Sequence, residues 1–314
     1  MTDTITSDSV ASVSLEDADN PAFHKELGDS FVTYGFAIIR DHGIPQDLID
    51  RAEAKAKEYF ALPDEVKRKY HVEGGGGARG HTPFGIETAK GAKAHDLKEF
   101  YHVGRELPEG HPYREVMADN IWPEEVEGFK ETFLELYDAF DRAGAKILTA
   151  IAEYLDIDRD WFLDSVRDGN SVMRLLHYPP QNEPTGEHIR AGAHEDINTI
   201  TLLLGAEEAG LQLLTRQGEW LDVSPKPGEL VINIGDMLQR LTNGKLRSTS
   251  HRVINPAPDR ASKARYSMPF FLHFRPDFMI EALDNCVPEG EEPKWPPISS
   301  HDYLLERLRE IKLA

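Results

Sequence analysis

Cysteine is almost absent from the chain, with Cys286 the single one among 314 residues. One thiol allows no disulfide within the chain and excludes a structural zinc ion held by several thiolates. The first twenty residues have no basic start and no continuous apolar stretch, so they do not resemble a secretory signal. The sequence therefore predicts a protein of a reducing compartment, with a cytoplasmic location and a frayed, polar N-terminus.

Long apolar runs and an excess of positive charge are also lacking. No window offers the roughly 20 apolar residues that a membrane-spanning helix needs, so no membrane span is expected. The formal net charge is −20, from 35 Lys and Arg against 55 Asp and Glu, which disfavours nucleic acid or an anionic membrane as the main partner. A hydrophobic content of 40% is enough for a substantial core. The composition is that of an ordinary globular protein.

The first half of the chain reads as helices around one short strand. Amphipathic periodicity predicts a helix over 21–34, a second helix over 46–63 and, over 123–155, either one long helix or two consecutive ones. The apolar run at 35–45, which is closed by His-Gly and Pro, predicts a strand between the first two helices. Residues 72–96 are loop-like.

From Ser171 onward the sequence pattern changes to short runs of β-branched and apolar residues, which are separated by Gly, Pro and Asn. Such spacing favours an antiparallel barrel or sandwich over alternating parallel βαβ units. A last amphipathic stretch, with Ser299 or Ser300 as its N-cap, predicts a C-terminal helix. The fold class is therefore α+β, in one compact unit. Its predicted regions are a flexible tail at 1–13, a mainly helical region at 14–165, a β core at 166–280 and a C-terminal extension with its helix at 281–314.

Three short motifs are rejected because their context is wrong. Residues 75–80, GGGARG, match the G-x-G-x-x-G of dinucleotide-binding turns, but they lack the strand before and the helix after that such a turn needs. Residues 242–246, TNGKL, lack the spacing and the Ser or Thr of a phosphate-binding loop. Residues 194–198, HEDIN, do not complete the H-E-x-x-H of zinc peptidases. Nucleotide binding and metallopeptidase activity are therefore not expected.

A candidate metal site begins where residues 193–204 read AHEDINTITLLL. Side chains two apart on a strand share a face, so His194 and Asp196 can converge on one ion while Glu195 points away. His251 follows far enough downstream for several strands to intervene and return to a neighbouring position. Two histidines and one carboxylate form the facial triad that suits non-haem Fe(II). The sequence therefore predicts an iron site at His194, Asp196 and His251.

A second candidate site lies on the last predicted strand of the β region. Arg265 and Ser267 stand two apart, so both side chains can face inward. A guanidinium fork beside a hydroxyl binds a carboxylate through charge-assisted hydrogen bonds. An arginine on an exposed strand face is the alternative, which the neighbouring triad weakens. The pair predicts a subsite for a carboxylate.

These motifs, H-x-D with a distal His-Arg-Val and R-x-S, resemble the 2-oxoglutarate and Fe(II)-dependent oxygenases of the isopenicillin N synthase-like family. The stretches YGFAIIRDHGIP, YFALPDEVKRKY and GELVINIGDMLQRLTNGKLRSTSHRV are similar to that family as well, so the resemblance covers most of residues 14–275. It implies a distorted double-stranded β-helix, or jelly roll, with an N-terminal helical and β layer and with the metal between two sheets.

The same resemblance implies the chemistry. Fe(II), 2-oxoglutarate and O2 would act together to oxidise a small-molecule substrate, with release of succinate and CO2. The far carboxylate of 2-oxoglutarate would meet Arg265 and Ser267, and Tyr178 matches a tyrosine of the family that also reaches it. Leu176 and Gln181 stand where plant members have asparagine and cysteine. These departures argue against a plant-hormone or flavonoid substrate.

The prime substrate is hardly disclosed by the sequence. The candidate residues for the pocket wall flank the predicted motifs: Phe84, His188, Arg190, Phe271 and His273. The segment 74–96, which is rich in Gly and Lys, could act as a lid. Two other functions stay open. One is an oxidase that binds its substrate at the R-x-S pair and needs no 2-oxoglutarate, and the other is a non-enzymatic β-barrel binding protein.

Overall fold

The computed structural model of the chain describes residues 9–75, 77–86, 96–180, 190–204, 210–255 and 262–310. Helices cover one face of a large sheet, and a smaller sheet packs against its other face. Within those ranges, no helix combines the length and the apolar character needed to cross a membrane.

Seven α-helices lie in the described residues: α1 (Pro21–Thr33), α2 (Gln46–Phe60), α3 (Asp64–Lys67), α4 (Phe129–Leu155), α5 (Trp161–Val166), α6 (Asp236–Leu241) and α7 (Ser300–Glu310). The predicted long helix begins at Phe129 instead of Pro123, because the φ of 72° at Gly128 is incompatible with a right-handed helix. The C-terminal helix has Ser299 as its capping side chain, since Ser299 Oγ accepts from the backbone N–H of Asp302 at 3.1 Å.

The large sheet consists of β1 (Ser12–Ser14), β2 (Phe36–Arg40), β3 (Gly80–Thr82), β4 (Glu99–Gly104), β5 (Val172–Tyr178), β7 (Ile200–Leu204), β10 (Leu230–Ile234) and β12 (Arg265–Leu272). Its spatial order is β1, β2, β10, β7, β12, β5, β4, β3. Only the β1–β2 pair is parallel, and the other neighbours within this sheet are antiparallel. The arrangement agrees with the antiparallel architecture expected from the short, evenly spaced strands.

The smaller sheet consists of β6 (Ala191–His194), β8 (Leu211–Leu214), β9 (Trp220–Asp222) and β11 (His251–Val253), in the order β6, β11, β8, β9. A separate pair, β13 (Met279–Ile280) and β14 (Ile298–Ser299), precedes the last helix. Phe36 and Val231 of the large sheet share one apolar cluster with Leu213 and Val253 of the smaller sheet. Two facing sheets of this kind form the predicted jelly-roll core.

The outer face of the large sheet packs on the helices. Helix α4 approaches β12 closely at Gly144, where a Cβ atom would lie 2.4 Å from Leu272 Cδ1. Phe140 of α4 stacks on Phe270 of β12, with ring centroids 5.3 Å apart. Successive side chains of a strand point to opposite faces. Packing Phe270 and Leu272 on α4 therefore directs Phe271 to the inner face, toward the space between the sheets.

Two predictions for the N-terminal region are wrong. Ser12 and Val13, which were assigned to a flexible tail, begin β1 and pair with β2. The predicted loop at 72–96 contains β3, which pairs with β4. Each of these two strands has three residues, too few for a recognisable hydrophobic period. Residues 1–8 of the predicted tail, residue 76 and residues 87–95 lie outside the described residues, so the lid stays a prediction.

Candidate active site

The three predicted metal ligands come from three places in the fold. His194 is the last residue of β6, Asp196 lies in the connection to β7, and His251 begins β11 opposite His194. The prediction that His194 and Asp196 share one face of one strand is wrong, because β6 ends at His194 and the chain then crosses from the smaller sheet to the large one. Glu195 is exposed between them. The crossing, and not strand alternation, sets the two ligands side by side.

The ligand atoms converge. One atom each from His194, Asp196 and His251, hereafter the His-Asp-His triad, lies within 4.8 Å of the others. His194 Nε2 is 3.8 Å from Asp196 Oδ1, and His251 Nε2 is 3.8 Å from Asp196 Oδ2. In the part of the chain that the structure describes, no other group of three or more His, Cys, Asp or Glu side chains has this geometry.

Hydrogen bonds behind the two histidines aim their free nitrogens at the centre of the triad. His194 Nδ1 lies 2.7 Å from Gly192 O, and His251 Nδ1 lies 3.0 Å from Thr249 O. Because a carbonyl oxygen only accepts, each Nδ1 carries the proton and each Nε2 keeps its lone pair. Such bonds fix the tautomer and the ring orientation that a metal ligand needs.

The carboxylate of Asp196 is held from one side. Its Oδ2 accepts from Thr201 Oγ1 at 2.6 Å and from Asn233 Nδ2 at 2.8 Å. Thr201 on β7 and Asn233 on β10 are directly opposite each other in the large sheet. Oδ1 is therefore the oxygen best placed for a metal. Two imidazoles and one carboxylate, with no thiolate among them, fit Fe(II) and leave coordination positions open.

The protonation states of the triad also suit a divalent ion. Partial burial, together with the nearby His251, lowers the pKa of His194 to about 4, so its imidazole is neutral at neutral pH. Burial opposes the ionisation of Asp196, but the two histidines and the donors on Asn233 and Thr201 lower its pKa overall. Metals bind neutral imidazole and ionised carboxylate. The residues present therefore fit the ion that the donor set favours.

The predicted carboxylate subsite is assembled by strand pairing. Arg265 of β12 lies directly opposite Tyr178 of β5, and its guanidinium carbon is 5.1 Å from the centre of the Tyr178 ring. Arg265 Nη1 donates to Ser267 Oγ at 3.1 Å. All three side chains are buried. Together they offer a carboxylate a guanidinium fork and two hydroxyls in a site of low polarity, where such bonds are strong. Arg265, Ser267 and Tyr178 are hereafter the carboxylate subsite.

Arg190 lies beside the carboxylate subsite, although its sequence position suggested the wall of the substrate pocket. Its side chain is fully buried, and its guanidinium carbon is 5.9 Å from the centre of the Tyr178 ring. Its Nη2 donates to Lys263 O at 3.4 Å. Two arginines, Arg190 and Arg265, therefore flank the ring of Tyr178.

The other predicted wall residues are dispersed. Phe84 is 46% exposed just after β3, and His188 lies outside the described residues. Phe271 is half-buried on the inner face of β12, where the guanidinium carbon of Arg174 is 5.3 Å from its ring centre. His273 follows that strand and is buried, and burial lowers its pKa to about 4. Phe271 thus contacts a charged side chain on the inner face of the sheet.

Arg174 is a residue that the sequence reasoning missed. It lies on β5, and its Nε donates to His102 Nε2 on β4 at 2.6 Å. A signal for it existed, because Arg174 stands four residues before Tyr178 and so shares its face of the strand. His102 carried no such signal, since only the pairing of β4 with β5 brings it opposite Arg174.

A buried pair of charges behind the triad was also missed. Asp96 Oδ1 accepts from the backbone N–H of Gly192 at 3.2 Å, and Asp96 Oδ2 accepts from Lys98 Nζ at 2.9 Å. The carbonyl of the same Gly192 accepts from His194. Asp96 therefore steadies the backbone that orients His194, a predicted iron ligand. The distance in sequence between Asp96 and Gly192 hides this contact.

The class that this fold and site define is the jelly-roll, non-haem iron oxygenases. Comparison with known families agrees. Residues 9–125 match the N-terminal region described as "non-haem dioxygenase in morphine synthesis", and residues 169–274 match the "2OG-Fe(II) oxygenase superfamily". The chain belongs to the 2OG-Fe(II) oxygenase superfamily.

Individual relatives lead to the same family. The 2-oxoglutarate-Fe(II) type oxidoreductase hxnY of Emericella nidulans is 37% identical over 290 residues, which cover 89% of this chain and 82% of hxnY. The crystal structure of a 2OG-Fe(II) oxygenase family protein from Caulobacter crescentus has 54% identity and a TM-score of 0.90, covering 96% of this chain and 99% of that one. A full-length Neurospora crassa protein, crystallised in complex with alpha-KG and thymine, has 28% identity and a TM-score of 0.85, covering 96% of both chains.

These findings confirm the predicted jelly-roll fold and the enzyme class. The chain is an oxidoreductase of the 2-oxoglutarate and Fe(II)-dependent dioxygenase type, and its cofactor and cosubstrates are Fe(II), 2-oxoglutarate and O2. The non-enzymatic binding protein considered from the sequence is set aside.

Proposed function

We propose that the enzyme oxidises a C–H bond of a small organic molecule, with Fe(II) held by the His-Asp-His triad and 2-oxoglutarate held at the carboxylate subsite. The observation that carries the proposal is the convergence of three ligand atoms within 4.8 Å in a chain of this family. The buried Arg265 with Ser267 supports the role of the second site. No observation favours the alternative function, an oxidase that binds its substrate at the R-x-S pair.

Bound Fe(II) supplies the activation of O2 and the coupled decarboxylation of 2-oxoglutarate to succinate and CO2. The residues of the chain set the geometry. Thr201 and Asn233 hold one oxygen of Asp196, so that this ligand offers the other oxygen and leaves room at the metal. Arg265 and Ser267 bind the far carboxylate of 2-oxoglutarate and orient the molecule. Burial of this subsite excludes water and strengthens its hydrogen bonds.

The test begins with metal-free, full-length protein in the absence of oxygen. Addition of Fe(II) and 2-oxoglutarate should produce a visible charge-transfer band, and admission of oxygen should release succinate slowly even without the prime substrate. Absence of both the band and succinate would contradict the proposal. Oxygen uptake that needs no 2-oxoglutarate would identify the oxidase instead.

We also propose that the enzyme is cytoplasmic and has neither a nucleic-acid nor a membrane partner. The net charge of −20 supports the second statement, because nucleic acids and anionic membranes carry the same sign. The single Cys286 supports the first, because one thiol cannot form the internal disulfides typical of oxidising compartments. Cell fractionation tests both, and recovery of the chain with membranes would contradict them.

A further inference from the structure

Strand β6, which ends at the predicted iron ligand His194, has less support than strand β11, which begins at His251. Among the described residues, β6 is the outermost strand of the smaller sheet and pairs with β11, whereas β11 lies between β6 and β8. The side chain of His251 is 9% exposed, and its ring packs on Phe36 with the centroids 5.4 Å apart. The side chain of His194 is 39% exposed. The direction of His194 therefore depends more on its own backbone.

The pairing of β6 with β11 is irregular directly before His194. His194 lies opposite His251, and Ala191 lies opposite Val253. Between these two pairs β6 has two residues, the first of which is Gly192, whereas β11 has one. A β-bulge of this kind bends its strand and changes the direction of the neighbouring side chains. The bulge at Gly192 therefore sets the direction in which His194 leaves the strand.

A carboxylate from a distant part of the sequence holds this bulge. Asp96 lies three residues before β4, and its Oδ1 accepts from the backbone N–H of Gly192 at 3.2 Å. On its other side, the carbonyl of Gly192 accepts from His194 Nδ1 at 2.7 Å. Gly192 is thus bound by Asp96 at its N–H and by His194 at its carbonyl. These three residues are hereafter the Asp96 relay.

The carboxylate of the relay is itself held by Lys98. Lys98 Nζ donates to Asp96 Oδ2 at 2.9 Å, and each of the two side chains is 6% exposed. An ionised acceptor makes hydrogen bonds that are roughly twice as strong as those of a neutral one. A buried carboxylate is tolerated where a cation is paired with it. Lys98 therefore offsets the charge of Asp96 and holds its Oδ2, while Oδ1 binds Gly192.

We propose that Asp96 is a positioning residue for the iron. By accepting from Gly192, it holds the bulge of β6 in the form that directs His194 Nε2 toward the metal. The acceptor at Oδ1 carries this role, and the negative charge does not, because Lys98 and Asp96 together add no net charge beside the triad. This inference rests on the function proposed above and adds a residue that determines how tightly the metal is held.

The test measures metal affinity without turnover, by titrating the full-length, metal-free chain with Co(II). The visible absorption of Co(II) reports both its binding and the geometry of its ligands. Two double variants separate the acceptor from the charge. Asp96→Asn with Lys98→Met keeps an acceptor for Gly192, because an amide carries a carbonyl oxygen. Asp96→Ala with Lys98→Met has none. Both double variants lack the buried charges, so they differ only in the acceptor.

The acceptor-free double variant should bind Co(II) about 10–100-fold more weakly than the wild type, which is the usual effect of losing a contact behind a metal ligand. Its absorption should also change, because His194 is no longer held in one direction. The acceptor-keeping double variant should stay close to the wild type in both measurements. Thermal melting shows that each variant is folded.

The matched control is a second buried pair of a carboxylate and a lysine, three residues further along the chain from Asp96. Glu99 Oε2 and Lys67 Nζ are 2.8 Å apart and their side chains are 7% and 5% exposed, but the carboxylate of Glu99 bonds to His177 on β5. Glu99→Ala with Lys67→Met should lower the melting temperature and leave the affinity for Co(II) unchanged. A general loss of stability is thereby distinguished from a loss of positioning.

Three outcomes would overturn the proposal: wild-type affinity in the acceptor-free double variant, an equal loss in the acceptor-keeping one, or an equal loss in the control. Hydrogen exchange of the Gly192 amide in the Zn(II)-loaded wild type gives a test that needs no variant. The bond to Asp96 should make this exchange slow, and exchange as fast as that of an unprotected amide would also overturn the proposal.

His194→Ala distinguishes a failure of this inference from a failure of the proposed function. If His194→Ala loses Co(II) and the acceptor-free double variant does not, the triad is correct and only the role of Asp96 is wrong. If His194→Ala binds Co(II) as the wild type does, the triad itself is contradicted.

Discussion

Single side chains of the proposed iron site differ in what they contribute to the stability of the fold. The side chain of His194 is 39% exposed and bonds to the backbone of its own strand, whereas Asp196 is buried and accepts from Thr201 and Asn233. A buried donor left without its acceptor costs about 1–3 kcal/mol. The two proposed ligands therefore differ in what they contribute to the stability of the fold.

We expect His194→Ala to lose iron while its free energy of unfolding stays close to that of the wild type. Asp196→Ala should lose iron and also about 2 kcal/mol of stability, because two buried donors lose their acceptor. Metal analysis after desalting and urea unfolding measure the two effects. Glu195→Ala is the control, because this neighbour of both ligands is exposed and should keep its iron. Full iron in His194→Ala would contradict the triad.

Arg265→Ala should weaken the binding of 2-oxoglutarate by about 1.5–3 kcal/mol, the usual contribution of hydrogen bonds to a charged group. The iron content should not change, because Arg265 belongs to the carboxylate subsite and not to the triad. Titration of the anaerobic charge-transfer band with 2-oxoglutarate gives the affinity, with Arg252→Ala as the control. An unchanged requirement for 2-oxoglutarate would favour the oxidase.

The H-x-D part of the triad and the R-x-S pair could be recognised in the sequence, because the two residues of each motif are two positions apart. Arg174 and His102 were not paired in advance, since their contact depends on the register of β4 against β5. The spacing of residues in the sequence predicts which side chains are neighbours on one strand. The contacts across strands that shape a substrate pocket come from the folded sheet.

Elements were predictable where their periodicity is long. The amphipathic stripe of α4 and the short apolar runs that become β5, β7, β10 and β12 were recognised, whereas the three-residue strands β1 and β3 were not. The stretch 193–204 was taken for one strand, yet it contains the end of β6, a crossing between the sheets and the start of β7. The run lacks a Gly or Pro after His194 to mark the crossing.

The crossing lets Thr201 of strand β7 bond to Asp196 of the proposed iron site. We expect Thr201→Val to lower the affinity for Fe(II) by about 10–100-fold, because Asp196 Oδ2 loses a donor that orients it. Competition with a chelator measures the affinity. Thr199→Val is the matched control, because Thr199 is buried nearby and its Oγ1 has no hydrogen-bond partner among the described residues. Equal affinities in the two variants would show that Thr201 does not position Asp196.

The molecule as a whole is joined across its layers by a buried ionic network. Lys67 of α3 donates to both carboxylate oxygens of Glu99 on β4, at 3.0 and 2.8 Å, and His177 on β5 lies 2.8 Å from Glu99 Oε1. Burial opposes the ionisation of Glu99, but His177 and Lys67 lower its pKa below the ordinary value of 4.5. Removing one member of a buried pair leaves an uncompensated charge.

The network makes part of the stability pH-dependent. A lowered pKa in the folded state means that ionised Glu99 stabilises the fold above the ordinary value of 4.5, and that this contribution is lost as the pH falls through the lowered value. Glu99→Gln should therefore cost about 3 kcal/mol at neutral pH and progressively less below about pH 4.5. Urea unfolding across the pH range measures the difference. Glu53→Gln, which breaks an exposed pair with Lys57, should change little. A constant difference at every pH would exclude Glu99 as its source.

The β core at 166–280 was predicted as one region of a single compact unit, and the sheet pairing argues that it depends on the rest. Strand β2 pairs with β10, and β4 pairs with β5, so the core alone would expose two open sheet edges. It would also lose α4, which covers Phe270 and Leu272. We therefore expect a fragment of residues 166–280 to show no cooperative thermal transition by circular dichroism, whereas the full chain unfolds in one. Addition of a 9–165 fragment should restore structure, because it supplies both edge strands and the helix. A fragment that melts cooperatively by itself would show that residue 166 begins an independent domain.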